Sequence, residues 1–333
     1  MTTRSLLMSR ARWLVRGLMV GAVAMSAAGA MAQGFPSKPI TLVVPFPPGG
    51  PTDSASRIVG RKLGELLGQT VVVENKSGAS GSIAAAQVAR ATADGHTVMM
   101  LATPTLLAPH LYKGAKYDIR KDFAPVGTTY ELPIVLVVNP KSLPDVKTLP
   151  ELIAKAKSAN PPLNYTSSGH GSFGHLTTES LKTLGGFEMT HISYRGGVPA
   201  VTDLLGGQVP IMFADLVAAL PHIQAGKLHA VAVGSPQRVP LLPDVRTMAE
   251  QGFPGFDAVS WGGLVAPPGT PAPVLEQLSG ALKQALGDAD IQQQLRAAGT
   301  FALWESPKDT AERIRRDDEK WGKVIRDKGV TTE

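Results

Sequence analysis

Pro45-Phe46-Pro47-Pro48-Gly49-Gly50-Pro51-Thr52-Asp53 decides the fold. It follows the apolar run Ile40-Thr41-Leu42-Val43-Val44, which reads as a buried strand. It precedes Ser54 to Leu67, where Ile58, Val59, Leu63, Leu66 and Leu67 recur at helical spacing. A strand, a Gly- and Pro-rich turn and then a helix aim free backbone N–H groups at a ligand. The helix start carries about half a positive charge and unpaired donors, so an anion is favoured there. Gly49 and Gly50 let a ligand approach with no Cβ in the way. Thr52 or Asp53 offers a cap. Standing alone, the stretch reads equally well as an ordinary β–α turn.

A second loop of the same kind tips the balance. Leu163-Asn164-Tyr165-Thr166 reads as a short strand, followed by Ser167-Ser168-Gly169-His170-Gly171-Ser172-Phe173-Gly174-His175 and a helix from about Leu176 to Leu184. Two small-residue loops facing each other across a cleft hold one anion from both sides. That is a binding design more than a catalytic one.

The first 32 residues read as a secretory signal peptide. Arg4, Arg10, Arg12 and Arg16 form a basic start, Gly17 to Ala28 is small and apolar, and Ala30-Met31-Ala32 fits a cleavage site. No later segment offers 18 consecutive apolar residues, so a soluble mature protein starting at Gln33 is expected. The chain has no cysteine, which removes disulfides, thiolate–zinc sites and a lipid-bearing anchor. A periplasmic location is the simplest outcome. The precursor carries 33 basic and 27 acidic residues; losing the four arginines leaves a net charge of +2, no footprint for nucleic acid. The remaining 301 residues exceed what one core usually supports, so two lobes are expected.

Strands and helices alternate along the rest. Strands read at Val71 to Asn75, His96 to Leu101, Ile134 to Val138, His191 to Tyr194, Val209 to Phe213 and Leu228 to Val233, with helices at about Ser80 to Ala91, Leu149 to Lys157, Val198 to Leu205 and Leu216 to Ala225; the stretch after Leu101 ends at Ala102-Thr103-Pro104-Thr105 without one. Asp257 to Val265 reads as a long strand, Thr300 to Trp304 as a short one. The chain closes with helices over Pro273 to Leu286, Asp288 to Ala298 and Pro307 to Arg326. This alternation means α/β lobes with parallel sheets and ligands at the carboxyl ends of the strands.

An ordered set of short matches resembles the Bug (TctC-like) family of periplasmic solute-binding proteins, which serve tripartite tricarboxylate transporters. The matching stretches are Phe35 to Ile40, Pro45 to Asp53, Val73-Glu74-Asn75-Lys76 with Gly78, Asp94-Gly95-His96-Thr97 and Tyr165 to His175. Tyr194-Arg195-Gly196, Asp203 to Val209, Phe213-Ala214-Asp215 and Ala266 to Pro271 follow. The resemblance implies an α/β, two-lobed periplasmic-binding-protein fold, a type II-like Venus flytrap with parallel-rich central sheets. Residues 33–128 and 238–333 would form lobe one and 129–237 lobe two, with crossings near Pro125–Tyr130 and Ser235–Leu242. It implies a monomer that holds a small carboxylate for transporter membrane subunits or a sensor kinase, with no cofactor. The contacts it implies are Phe46, Gly49, Gly50, Thr52 and Asp53, then Ser167, Ser168, Gly169, Gly171, Ser172 and His175. Thr103, Tyr194, Arg195, Gly196 and Asp215 complete them, and His170 sits at a position that varies across the family.

Several of these residues have a second reading. Asp53 beside an anion repels it, so it either favours a ligand with an amine or hydroxyl or caps the helix. His175 reads as a core histidine as readily as a contact. Arg195 reaches a second carboxylate or pairs with Asp203, and Trp261 reads as a buried hinge aromatic. Gly169-x-Gly171-x-x-Gly174 matches a dinucleotide fingerprint, but Thr190 to Tyr194 lacks the companion acid. No Gly-x-Ser-x-Gly and no close histidine ligand pair is present, so neither a nucleophile nor a catalytic metal is supported. The alternative function is a periplasmic enzyme acting on a small acid, with His175, Asp215 and Ser172 as its acid–base set.

Overall fold

The computed structural model describes residues 34–331, so the expected signal peptide and its cleavage point lie outside the described residues. Residues 38–331 belong to one compact unit. Among the described residues, no helix is long and apolar enough to cross a membrane.

In the first half of the sheet, β1 (Ile40–Val44) lies between β2 (Val71–Asn75) and β3 (Thr97–Ala102), parallel to both. Ile40, Leu42, Val43 and Val44 are all buried, as an apolar run covered on two faces requires. Helix α1 (Pro51–Leu67) presents Ala55, Ser56, Val59 and Leu63 inward at spacings of three and four. It ends at Gly68, whose φ of 68° suits the left-handed cap that glycine adopts without strain. Helix α2 (Ser82–Val88) joins β2 to β3, and α3 (Thr103–Leu111) follows β3 directly.

The second half repeats the plan after α4 (Leu149–Ser158). Strand β5 (Asn164–Ser167) lies parallel to β6 (Thr190–Ser193) and β7 (Ile211–Asp215). Helices α5 (Phe173–Gly185), α6 (Gly197–Gly206) and α7 (Leu216–Gln224) follow these strands in turn. Strand β8 (His229–Val233) then returns to the sheet.

The halves share one strand. β4 (Ala124–Val138) is 15 residues long. Its stretch Ala124–Pro133 pairs antiparallel with β9 (Val259–Ala266), and Ile134–Val138 pairs with β7 and β8. β10 (Phe301–Glu305) also pairs with its first part. Register shifts at Pro125/Gly127 and Thr128/Tyr130 bend it. The order is β2-β1-β3-β9-β4-β7-β5-β6. Pairing is therefore parallel where helical crossovers supply it and antiparallel around β4, where the chain passes between halves. Only Ile134 to Val138 of β4 reads as strand in the sequence, because Pro125, Gly127 and Pro133 interrupt the rest.

Residues 238–258, which the sequence reading joins to lobe one, run beside β8. Val233 N–H donates to Arg246 O and Met248 N–H to Val233 O. Ala258 N–H reaches Gly234 O, and Gly234 N–H reaches Ile134 O, before β9 returns to the first half. Helices α8 (Ala272–Gly287), α9 (Ala289–Ala297) and α10 (Pro307–Asp327) close the chain. Trp261 is fully buried in β9, donating from Nε1 to Asp317 at 2.7 Å, with the Arg313 guanidinium 5.1 Å over its ring.

Register fixes where a ligand can lie. Ala102, at the carboxyl end of β3, is opposite Gly262, which is opposite Tyr130. Asp215, at the carboxyl end of β7, is opposite Ile134. The strand ends of the two halves therefore point at each other across Tyr130–Ile134, a span of about 13 Å at roughly 3.3 Å per residue.

Candidate functional site

Helix starts line this gap. Gly50 caps α1, Ala102 α3, Gly196 α6 and Asp215 α7, and none of these four has a side-chain cap bond. Their first N–H groups therefore lack intrahelical and side-chain partners, and together they favour an anion. A Cβ built on Gly50 would meet nothing within 4 Å, and its φ is −80°. The fold does not require glycine there; the space in front of that amide does.

The cap falls at Gly50 and not at Thr52 or Asp53, because Pro51 already begins the helix. Thr52 Oγ1 accepts from the Tyr130 hydroxyl at 2.8 Å, which leaves its own proton to give away. Asp53 is buried and serves the loop. It accepts from Gly49 N–H at 2.9 Å, from Asn75 Nδ2 at 2.8 Å and from Arg57 through two nitrogens at 3.0 Å. Asn75 also donates to Phe46 O. Burial alone would raise the Asp53 carboxyl, but Arg57, the Gly49 amide and Asn75 together hold it below the ordinary aspartate value. Its charge is balanced by the Arg57 guanidinium. The Gly49 amide is spent on it, so Gly50 and the residues after it carry the free donors.

In the second loop, Ser167 is buried; its hydroxyl donates to Gly169 O at 2.9 Å and lies 2.7 Å from His191 Nε2. Ser168 is exposed, with no hydrogen bond to its hydroxyl among the described residues. Ser172 caps α5, its Oγ accepting from His175 N–H at 3.4 Å. His175 lies behind the loop, 3% exposed, and its Nδ1 accepts from Gly171 N–H at 3.0 Å. No hydrogen bond joins its ring to the Ser172 hydroxyl among the described residues, so a nucleophile–base pair is not assembled. Gly174 is glycine because a Cβ there would lie 2.5 Å from Phe213 O. The glycine spacing that resembles a nucleotide fingerprint thus lets α5 approach β7.

Tyr194 turns its hydroxyl to Asp203 at 2.5 Å. That contact takes the carboxylate that the surface alternative gave to Arg195. Arg195 is exposed and makes no ion pair among the described residues. Gly196 has φ 114° and donates its N–H to Ser168 O, tying the two loops together. Asp215 is exposed at the start of α7, and desolvation pushes its carboxyl above the usual range. Thr103 is fully buried, its Oγ1 donating to Trp261 O and accepting from Trp261 N–H. It fastens β9 to the start of α3.

Three features escaped sequence reasoning. Gly78, Ala79, Ser80 and Gly81 all have positive φ, at 138°, 45°, 52° and 90°. Two consecutive non-glycine residues there cost on the order of 1–3 kcal/mol each, strain that clusters at ligand clamps. A Cβ on Gly81 would lie 2.7 Å from Pro45 and 2.3 Å from Thr105 Oγ1, so this turn packs at the ends of β1 and β3. The only signal was the small-residue run itself. Tyr130 is the second: its buried ring lies over Gly262, where a Cβ would come within 2.3 Å. The third is His191, which stacks on His175 with centroids 3.9 Å apart and planes 9° apart. Burial, then His191 and His170, bring the His175 imidazole down to about 3; burial, then His170, bring His191 down to about 4. Both rings are neutral at neutral pH.

A two-part α/β body whose strand ends and helix starts confront each other across a shared strand defines the class of periplasmic solute-binding proteins. The family described as the tripartite tricarboxylate transporter family receptor, TctC, matches residues 55–330, and the chain belongs to it. BugT of Bordetella pertussis is 36% identical over 306 residues, 91% of this chain and 93% of that protein. MatC from Rhodopseudomonas palustris, solved with bound malate, is 34% identical with a TM-score of 0.72, over 87% of this chain and 100% of its own. A second R. palustris protein, solved with adipate, is 36% identical with a TM-score of 0.73, over 89% and 99%.

Proposed function

We propose that the protein is an exported receptor that closes on a small monocarboxylate or dicarboxylate between two lobes. It hands the solute to tripartite tricarboxylate-type membrane subunits or to a sensor. The uncapped helix starts facing each other across Tyr130–Ile134 carry this reading. They supply neutral donors for one carboxylate, and Arg195, free of acidic partners among the described residues, supplies a charge for a second. Asp215, with its raised carboxyl, meets a hydroxyl or an amine between them. A tricarboxylate would need more cations than the loops offer, since removing three charges from water costs more than neutral donors recover. The malate and adipate found in two relatives are dicarboxylates, which supports this class. The periplasm, with cleavage after Ala32, is the proposed location.

The test is a thermal-shift panel of small mono- and dicarboxylates beside citrate, followed by calorimetry on Gly50→Val. The smaller acids should raise the melting temperature. The variant should melt normally, because a Cβ there meets no protein atom within 4 Å and the φ of −80° suits any residue, yet raise Kd at least tenfold, or about 1.4 kcal/mol. A large shift with citrate alone, or an unchanged Kd in Gly50→Val, would overturn the assignment.

A further inference from the structure

His170, His175 and His191 are scattered in the sequence, and folding gathers them. One ligating nitrogen from each ring lies within 4.8 Å of those from the other two. His170 is exposed on the loop after β5, His175 is buried in the first turn of α5, and His191 is half-buried in β6. Proton positions follow from the hydrogen bonds. Ser167 gives its single hydroxyl proton to Gly169 O, so His191 Nε2, 2.7 Å from Ser167 Oγ, must be the donor there. The lone pair of neutral His191 is then on Nδ1, with the opposite nitrogen already held by an outer partner. Metal-binding imidazoles are oriented in this way. His170 makes only ring contacts, to His175 at 4.7 Å and His191 at 5.9 Å.

We propose that these three histidines form a site for one borderline divalent transition-metal ion of the Zn²⁺, Co²⁺, Ni²⁺ and Cu²⁺ class. Three imidazoles without a carboxylate suit those ions and disfavour Ca²⁺ and Mg²⁺, which take oxygen ligands. Three nitrogens also leave a fourth tetrahedral position for water or another ligand. As the rings stand, His175 and His191 are stacked, so both must turn for their lone pairs to converge on an ion about 2.0–2.1 Å away. The Gly171 amide occupies His175 Nδ1 and must move as well. Gly169 at φ 151° and Gly171 at φ 73° give the loop the freedom to do so. Ion binding therefore shifts residues 168–172.

Tag-free protein, stripped with chelator and free of organic acids, is titrated with Co²⁺ by visible absorption and with Zn²⁺ by calorimetry. The expected result is saturation at one ion per chain, with the d–d bands of a nitrogen-ligated site. His170→Ala and His191→Gln should each weaken binding at least tenfold, and excess Mg²⁺ or Ca²⁺ should not compete. His170 is exposed and carries no hydrogen bond among the described residues, so His170→Ala keeps the fold, which melting curves verify. Absence of saturable binding would overturn the proposal, as would stoichiometric binding that both variants leave intact. Because no carboxylate is present, the result is independent of the receptor reading.

Discussion

Asp53 shows how a residue that looks like an obstacle becomes scaffold. Its carboxylate is wrapped by Arg57, Asn75 and the Gly49 amide, so it shapes the first loop. Because its folded value is depressed, its contribution to stability is present above the ordinary aspartate value of about 3.9 and is lost as pH falls through the folded value. Asp53→Asn should therefore lower stability by about 1–3 kcal/mol near neutral pH, the scale for disturbing a buried charged hydrogen-bond set. The gap between wild type and variant should close as pH falls below about 4. Urea midpoints measured at intervals down to about pH 3 check this. A gap that stays constant across that range would mean the carboxylate is not charge-stabilised. The sequence disclosed Asp53's position beside Gly49 and Gly50 but not its partners, since Asn75 comes from a different strand.

At the scale of elements, strand–loop–helix units were legible wherever apolar runs and glycine turns followed their usual periods. β1, α1, β5, α5 and the closing helices are the cases in point. Two elements were not. Helix α3 contains Pro104 and Pro109, which read as loop, yet it forms because Pro104 lies in its first turn, where the missing N–H costs nothing. The first ten residues of β4 read as a crossing, because only β9 and β10, more than a hundred residues away, reveal them as strand. The contact of α5 with β7 gives a test at this scale. A methyl at position 174 would lie 2.5 Å from the Phe213 carbonyl. Gly174→Ala should cost about 1–3 kcal/mol by overpacking and should also weaken carboxylate binding, since the 168–172 loop opens that helix. Denaturant melts with calorimetry separate the two effects. Unchanged stability would show that the helix yields without strain.

For the whole molecule, two chain crossings join the sheet halves, β4 at Tyr130–Ile134 and the Gly234–Ala258 junction beside it. Helix α5 also meets α10, where the Phe173 and Trp321 rings lie 4.9 Å apart. The two crossings run side by side, Gly234 N–H donating to Ile134 O, as a hinge requires. Donors on both sides of the gap reach one carboxylate only when it closes, so small-angle scattering should show a smaller radius of gyration with saturating ligand. Identical curves with a ligand proved to bind by calorimetry would mean a rigid site. This architecture was legible only through the family resemblance. The register that places Asp215 and Ala102 face to face required pairings no local pattern encodes, and so did the gathering of His170, His175 and His191.

The shared strand also orders the assembly of the chain in time. The strand-to-strand pairings of β5 through β8 lie between Ile134 and Val233, so that half of the sheet can assemble its ladders from about a hundred consecutive residues. The other half cannot. β3 waits for β9, which begins at Val259, and the first part of β4 waits for β9 and then for β10 at Phe301. Such long loop closures are slow and come late. A chain emerging from its amino end therefore carries a finished half, built from residues 134–233, beside an open seam, and the seam shuts only when nearly the last residues arrive.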